Sequence, residues 1–272
     1  MEFLILYEDQ VRLFSFAGVL AVMALLENLF PRRQRRAPTA RRWGVNLALT
    51  AINTVTLRLL FPLLAVEWAA LMTTHDIGLA PILGVPYWAA CLVGIALLDL
   101  VIYAQHAAFH HIPFLWRFHR VHHADLEVDV TTGVRFHPGE IVLSMLIKFA
   151  TIALLGVPAA AVVAFEVLLN ATSLFHHANL ALPRAVDRVL RLVIVTPDVH
   201  RVHHSTIRAE TDSNFGFSVT WWDRLFGTFR AEPSAGHTGM EIGLAEYRVP
   251  AQQGLLWVCA LPAYQNPPPA SR

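Results

Sequence analysis

The chain has 272 residues, of which 55% are hydrophobic and only 15% are charged, and its mean hydropathy is +0.47. Ordinary soluble domains carry about 25% charged residues, so this composition argues against a soluble protein and excludes an intrinsically disordered one. The formal net charge of +1 gives no overall field that would attract nucleic acid. The two cysteines, Cys91 and Cys259, are far apart, which excludes a cysteine-rich zinc or iron–sulfur site.

Five apolar stretches predict helices that cross a membrane, which takes about 20 residues each. They run over about residues 11–30, 44–72, 86–103, 141–157 and 159–175. The last two are short and are separated by a Gly-Val-Pro turn at residues 156–158, so they predict a helical hairpin that either crosses the membrane or re-enters it. Residues 255–261 are apolar but too few to span, so we expect them to pack on the rest of the protein. The proline-rich end, residues 266–272, is expected to fray.

A cluster of arginines lies between the first two stretches and predicts the orientation in the membrane. It comprises Arg32, Arg33, Arg35, Arg36, Arg41 and Arg42. Loops rich in Lys and Arg stay on the cytoplasmic side, and each later span reverses the side. The amino terminus is then outside the cytoplasm, and the segments that follow the third and fifth spans are both cytoplasmic.

Both of those segments are rich in histidine, which the orientation argument did not use. Twelve of the 14 histidines lie between residues 106 and 204. The first box is His106 and His110, the second is His119, His122 and His123, and the third is His200, His203 and His204. On a helix, residues at i, i+3 and i+4 share a face, so the rings of each box can converge on one point. Scattered histidines do not show this spacing, and the pattern predicts metal binding.

The number of histidines favours two metal ions. The eight box histidines, with His177 and with His137 or His176 in addition, supply eight to eleven nitrogen ligands, whereas one structural zinc takes four. Neutral imidazole suits zinc, copper, iron and nickel, so spacing and composition do not choose between iron and zinc. A haem protein with two axial histidines, a membrane zinc hydrolase and a non-enzymatic metal transporter are alternative interpretations. The paired His-His steps argue against the haem protein.

Residues 99–229, nearly half of the chain, resemble the fatty acid hydroxylase/sterol desaturase superfamily of integral-membrane, non-haem di-iron enzymes. One position departs from the usual pattern, because Ala107 follows the first box histidine where many members have arginine. Besides the three boxes, the resemblance rests on Asp99-Leu100-Val101-Ile102-Tyr103, Leu115-Trp116-Arg117-Phe118-His119, Arg135-Phe136-His137-Pro138, Phe175-His176-His177-Ala178-Asn179, Thr196-Pro197-Asp198-Val199-His200, Thr211-Asp212-Ser213-Asn214-Phe215-Gly216 and Trp222-Asp223-Arg224-Leu225-Phe226-Gly227-Thr228.

The resemblance implies an all-α, integral-membrane bundle of four or five spans under a cytoplasmic, histidine-rich cap. It implies membrane spans with a basic loop over residues 1–95, a di-iron domain over 96–235 and a tail over 236–272. The implied activity is O2-dependent hydroxylation or desaturation of a fatty acyl, sterol or isoprenoid lipid, with two iron ions as cofactor and the eight box histidines as catalytic residues. The implied metal ligands are His106, His110, His119, His122, His123, His137, His177, His200, His203 and His204. For His137 the alternative role is to support the ligands without binding a metal ion itself.

Polar residues near the boxes are expected to hydrogen-bond the outward nitrogens of the ligand rings, as acceptors behind metal-bound histidines usually do. Eight residues are candidates for this role: Asp99, Asp125, Asp129, Glu140, Asp198, Asp212, Asn179 and Asn214. Of these we predict that Asp99, Asp198, Asn179 and Asn214 bind the ligand rings. Asp99 is chosen because it lies two turns before His106 on the same helix face, and Asp198 because it directly precedes the third box.

Electrons for such a reaction must come from another protein, since the chain has no dinucleotide-binding glycine motif and no cysteine-bound cluster. A ferredoxin, or a b-type cytochrome with its reductase, is implied as the external donor. Basic residues of the cap, Arg184, Arg188, Arg191 and Arg208, are candidates for its docking surface. The alanine- and arginine-rich composition favours a bacterial inner membrane, and no nucleic-acid partner is expected.

Overall fold

A computed structural model describes residues 6–35 and 38–264, apart from the side chain of Pro250. Its regular elements are helices, and in these residues the only β-type pairings are isolated bridges. The predicted all-α bundle is therefore confirmed. The predicted frayed tail at residues 266–272 and Arg36 of the arginine cluster lie outside the described residues.

The long, apolar helices lie between residues 8 and 177, with three shorter helices among them. In chain order the helices up to the end of the hairpin are α1 (Glu8–Leu29), α2 (Thr39–Leu60), α3 (Ala65–Thr74), α4 (Leu79–Ile82), α5 (Tyr87–His111), α6 (Pro113–His123), α7 (Pro138–Leu155) and α8 (Ala159–His177). Five segments of the described chain are long and apolar enough to cross a membrane: Glu8–Leu29, Thr39–Ile82, Tyr87–His111, Pro138–Leu155 and Ala159–His177. They coincide with the five predicted spans.

Shorter helices form the histidine-rich cap and the segment that follows it. A 3₁₀ turn at Val130–Val134 lies between α6 and α7. After the hairpin come α9 (Arg184–Leu190), α10 (Pro197–His203), α11 (Arg208–Thr211), α12 (Trp221–Leu225), α13 (Gly236–Gly239) and α14 (Leu255–Ala260), with 3₁₀ turns at Pro250–Gln253 and Leu261–Ala263.

The second predicted span is broken, whereas the sequence predicted one continuous helix. Helix α2 ends at Leu60, and Phe61 takes an extended conformation with φ −120° and ψ 114°. Proline at position 62 disfavours a helical residue before it and has no N–H to donate. Helix α3 then starts anew, with the Glu67 carboxylate accepting a hydrogen bond from Leu64 N at 3.0 Å.

The predicted hairpin of α7 and α8 is present, and its tip contacts the turn between α3 and α4. Gly156 ends α7 in the left-handed region (φ +69°), and Gly78 has φ +117°. A Cβ atom on Gly78 would lie 2.2 Å from Gly156 N, so the two turns can touch only because residue 78 is glycine. With 18 and 19 residues, each arm is about 28 Å long, which is enough to cross the hydrocarbon core.

A buried apolar core holds the long helices together at their middle. Leu98 and Ile102 of α5 pack with Ile152 of α7 and with Val162 and Phe165 of α8. All five side chains are buried. This core fixes the positions of the helix ends, and the carboxyl ends of α5 and α8 lie at the same end of the bundle as the amino end of α7.

One arginine joins the membrane helices to the loop after the second histidine box. Arg42, near the start of α2, is buried and contacts Asp125 at 2.6 Å and Asp129 at 2.7 Å. It also donates to the carbonyl of Glu127 at 3.0 Å. Burial would raise the pKa of Asp125, but Arg42 and then Arg135 lower it to below its usual range.

The segment after residue 236 folds back on this region. Val258 of α14 and Leu261 are completely buried, in a cluster with Val45 and Leu49 of α2 and Val121 of α6. The expected packing of residues 255–261 is therefore present. Since Val121 lies between two histidines of the second box, this segment packs directly against the helix that carries the box.

We expect Arg42→Met to destabilise the protein by about 3–5 kcal/mol, because it leaves two buried carboxylates without their cation. The measurement is thermal or denaturant unfolding of the purified protein in detergent. Arg58→Met is the matched control, since Arg58 pairs with Asp9 at a site where both side chains are more than half exposed, and such pairs contribute little. Equal stability of the two variants would contradict the anchoring role of Arg42.

Candidate metal centre

Nine histidines form two groups at one end of the helical bundle. The first group contains His106, His110, His119, His123 and His203, and the second contains His122, His177, His200 and His204. Within each group the nitrogens that could bind a metal all lie within 4.8 Å of one another, and every one of these residues is buried. The second and third boxes each contribute to both groups, so the two groups are neighbours.

The facing nitrogens in each group have the separation that a shared metal ion requires. The Nε2 atoms of His106 and His119 are 3.1 Å apart, and those of His110 and His123 are also 3.1 Å apart. In the second group His177 Nε2 lies 3.1 Å from that of His122 and 3.0 Å from that of His200. Two nitrogens bound to one ion at ~2.1 Å, with an angle near 90–110°, are about 3.0–3.4 Å apart.

The outward nitrogens of six of these rings face hydrogen-bond acceptors. The acceptors are the backbone carbonyls of Phe215 for His106 (2.8 Å), Arg135 for His122 (3.2 Å), Ser173 for His177 (2.8 Å) and Ser213 for His203 (2.8 Å), and the carboxylates of Glu140 for His119 (2.7 Å) and Asp212 for His110 (3.3 Å). A carbonyl requires the proton on Nδ1, which leaves the lone pair of Nε2 facing the other rings. Lone pairs that face each other at 3.1 Å repel, and a cation between them removes the repulsion, so the donor set fits metal ions.

Burial keeps these rings in the neutral form that binds metals. It lowers the pKa of His203 to about 3, with a further lowering by His119. Burial, followed by the neighbouring histidines, also lowers the pKa of His122, His123 and His204 far below the usual value for histidine. Metal binding at neutral pH therefore needs no proton release from these rings.

A tight loop after α11 supplies two of the carbonyl acceptors. Asn214 has φ +53°, and its amide donates to the carbonyls of Val199 and Arg230 at 2.8 Å each. The Asp223 carboxylate accepts hydrogen bonds from Phe215 N at 2.7 Å and Gly216 N at 2.8 Å. These contacts hold the carbonyls of residues 213 and 215 against their rings. Sequence reasoning missed Asp223, although the quoted Trp-Asp-Arg motif contained it.

A close backbone contact sets the position of His177. The 3₁₀ turn that contains Gly133 packs against α8, and Ser173 Oγ donates to the Gly133 carbonyl at 2.9 Å. A Cβ atom on Gly133 would lie 2.9 Å from the Ser173 carbonyl and 3.2 Å from His177 Nδ1. Any larger residue there would displace the ring or its acceptor.

Two further histidines were candidates, and neither belongs to the two groups. His137 is the amino-terminal cap of α7: its Nδ1 accepts from Gly139 N at 3.0 Å, and its Nε2 lies 3.0 Å from the Cys259 carbonyl. Both of its nitrogens are therefore engaged away from the other rings. His176 is buried beside the second group, with its ring centre 4.1 Å from that of His200.

The four residues predicted to accept hydrogen bonds from the ligand rings bind other partners, and two different carboxylates contact the rings. Asp99 accepts from the Trp222 indole at 2.8 Å. Asp198 pairs with Arg32 at 3.0 Å and with Arg201. Asn179 and Asn214 bind backbone groups. Instead, Glu140 and Asp212 bind His119 and His110, while Asp125 and Asp129 pair with Arg42.

A cavity of about 560 Å³ leads from the first histidine group into the helical bundle. His106 and His119 form part of its wall. Apolar side chains from four of the spanning segments line much of the rest: Leu13, Phe16, Leu57, Ile102 and Met145. The volume lies in the range of ligand-binding pockets, and the apolar wall suits a hydrocarbon.

The fold and the site together define an integral-membrane protein with two buried imidazole groups that fit metal ions. The family model described as "Fatty acid hydroxylase" matches residues 91–228, which is half of the chain. The chain belongs to this family, in agreement with the resemblance of its motifs.

Curated relatives carry the same similarity. The chain is 29% identical to an ornithine lipid hydroxylase of Rhizobium tropici over 56% of this chain and 45% of the relative. It is 28% identical to human alkylglycerol monooxygenase over 53% of this chain and 31% of the relative. A cholesterol 25-hydroxylase-like protein of Danio rerio is 28% identical over 83% of this chain and 95% of the relative. The chain thus spans less than half of the first two relatives. No solved structure matches it.

The relatives bear on the alternative interpretations of the histidines. By name they are lipid hydroxylases and monooxygenases, which are oxidoreductases. They give no support to a zinc hydrolase or a metal transporter.

We expect single alanine substitutions in the two groups to remove one metal ion each. His203→Ala takes a ligand from the first group and His204→Ala one from the second, so each variant should hold about one ion per chain where the parent holds about two. Metal analysis of purified protein by mass spectrometry gives the ratio. His137→Ala is the control and should keep both ions. Loss of metal from His137→Ala, with retention in the other two, would refute the grouping.

Glu140 should tighten metal binding without being a ligand. Glu140→Ala removes the acceptor for His119 Nδ1, and losses of this kind weaken metal affinity about 10–100-fold. Glu140→Gln keeps an acceptor oxygen and should weaken it less. Competition with a chelator of known affinity measures both. Equal metal affinity in the parent and in Glu140→Ala would show that the hydrogen bond does not orient the ring.

Proposed function

We propose that this protein hydroxylates or desaturates a lipid, using O2 and two iron ions held by the two histidine groups. The observation that carries the proposal is the cavity, since its apolar wall ends at His106 and His119 of the first group. A lipid chain in this cavity would have its C–H bonds next to the metal ligands. The ligands of the proposed centre are the nine histidines of the two groups.

Iron is proposed on the chemistry of the donors and on the family. Histidine-only sites suit iron, zinc and copper alike, but the named relatives are hydroxylases and monooxygenases. When bound, two iron ions supply the means to reduce O2 and to break an unactivated C–H bond.

The residues of the chain bind and orient the reactants. The apolar wall, to which Leu13 and Phe16 of α1 contribute, holds the hydrocarbon. Glu140 accepts a hydrogen bond from His119 Nδ1–H and so keeps this ring with its Nε2 lone pair inward. All nine rings are buried, which keeps bulk water away from the reacting carbon.

We also propose that the centre faces the cytoplasm of a bacterial cell. In the described residues, Arg32, Arg33, Arg35 and Arg42 lie at the end of the bundle that carries the histidines, as Arg32 binds Asp198 and Arg42 binds Asp125. Basic loops remain on the cytoplasmic side. A ferredoxin, or a b-type cytochrome with a reductase, would deliver electrons there. The division into residues 1–95, 96–235 and 236–272 belongs to the same proposal.

The test is a reaction with the purified protein loaded with Fe(II), a reductant and ¹⁸O2, in a membrane of extracted lipids. Mass spectrometry should find a lipid that carries one ¹⁸O atom if the reaction is hydroxylation, or that lacks two hydrogens if it is desaturation. His106→Ala should form neither product, because it removes a ligand from the wall of the cavity. His75→Ala is the control, since His75 is exposed at the end of α3. Product formation that persists in His106→Ala, or that needs no O2, would refute the proposal.

A further inference from the structure

The cavity reaches a second polar region that lies well away from the histidines. Its wall includes Arg12 of α1, Lys148 of α7 and Glu166 of α8. Lys148 is eight residues beyond Glu140 on α7, and a helix rises 1.5 Å per residue, so the separation along the axis is about 12 Å. Glu166 is likewise seven residues before Ser173, or about 10 Å from it.

Four charged side chains interact in this region, and we call them the membrane ion cluster: Glu8, Arg12, Lys148 and Glu166. Lys148 Nζ lies 2.6 Å from one oxygen of Glu166. The Arg12 guanidinium lies 3.1 Å from the other oxygen of Glu166 and 3.1 Å from Glu8. The side chains of Lys148 and Glu166 are only 11% and 6% exposed. Two cations and two carboxylates make the cluster neutral as a whole.

Charged residues at this depth in a membrane are costly and rarely serve packing alone. Arg12, Lys148 and Glu166 come from three of the spanning helices, so apolar residues would join these helices at lower cost. All three line the same cavity that leads to the histidines. Their position therefore indicates a role in binding whatever occupies the cavity.

We propose that the membrane ion cluster binds the hydroxyl group of an uncharged lipid alcohol. This inference rests on the proposed function, because it names the substrate class of the same cavity. The carboxylate of Glu166 can accept a hydrogen bond from the hydroxyl, and Lys148 or Arg12 can donate one to it. The oxidised carbon is then remote from the hydroxyl, since about 10–12 Å separates the cluster from the histidine end of the cavity.

The neutrality of the cluster disfavours charged ligands. A carboxylate bound between Arg12 and Lys148 would lie beside Glu166 and give the site a net negative charge. An ammonium group bound to Glu166 would lie beside the two cations and give it a net positive charge. An uncompensated charge is costly away from water. Two further charged groups lie near the cluster: Asp9 forms a neutral pair with Arg58, and Glu67 acts on Glu8 but not on Glu166. Neither changes the charge balance around Lys148 and Glu166.

The test compares three probes with the same chain: hexadecan-1-ol, hexadecanoate and hexadecylammonium. Native mass spectrometry of the purified parent protein in detergent gives their relative affinities. We expect the alcohol to bind about tenfold more tightly than either charged probe, since about 1.4 kcal/mol corresponds to tenfold. Equal binding of the three probes, or a preference for a charged one, would overturn the proposal without any variant.

Two substitutions change the charge of the cluster in opposite directions. Glu166→Gln leaves a net positive cluster, so the preference should move to hexadecanoate. Lys148→Met leaves a net negative one, so it should move to hexadecylammonium. The double variant E166Q/K148M is neutral again and should regain the preference for the alcohol. Arg248→Gln is the control and should leave the order of the probes unchanged, because Arg248 pairs with Glu241 at an exposed site that does not line this cavity.

A purely structural cluster would give a different result. It would weaken all three probes together in each variant and would leave their order unchanged, which contradicts the proposal. Selective binding of the alcohol without any oxidised product would refute the proposed function alone. Oxidation of a lipid by a parent protein that shows no preference for the alcohol would refute this inference alone.

Discussion

Eight of the nine buried imidazole rings face a neighbouring ring with Nε2 atoms only 3.0–3.2 Å apart, and the rest of the structure maintains this arrangement. Facing lone pairs in an apolar interior repel, and protonation offers no relief because burial lowers the pKa values of rings such as His203 and His204. Cations between the rings relieve it. The donor set therefore fits metal ions, and metal bound there would add to the stability of the folded protein.

The surrounding groups fix which nitrogen carries the proton in six of the nine rings. Backbone carbonyls do this for four rings and carboxylates for two, so much of the support comes from the path of the chain rather than from side chains. Asp223 holds the loop that presents the carbonyls of Ser213 and Phe215. Arg42 holds the segment after the second box against α2. These two charged residues connect the metal site to the fold without contacting a metal ligand.

The membrane bundle serves two purposes at two levels. At one end the helix termini bring the histidine boxes together, and near the middle of α7 and α8 the spans carry the membrane ion cluster into the wall of the same cavity. A ligand that contacts both levels must be apolar between them and polar at a distance from the reacting carbon. This is the property that joins the proposed oxidation to the proposed recognition of a lipid alcohol.

The sequence by itself determined the helical class, the five spans and the histidine boxes, because hydropathy and i, i+3, i+4 spacing are local properties of the chain. The family and the full ligand set followed from the resemblance of its motifs to known sequences. Only the tertiary structure decided how the boxes divide, since His122 and His123 are adjacent in sequence yet belong to different groups. It also placed His137 outside both groups, as the cap of α7, and it replaced the selected acceptors by Glu140, Asp212 and backbone carbonyls. Pro62 in the sequence indicates a break in the second span, but the long apolar stretch around it favoured one continuous helix. Carbonyl acceptors leave no trace in residue type, and a cavity is made by helices distant in the chain, so neither is visible before the chain is folded.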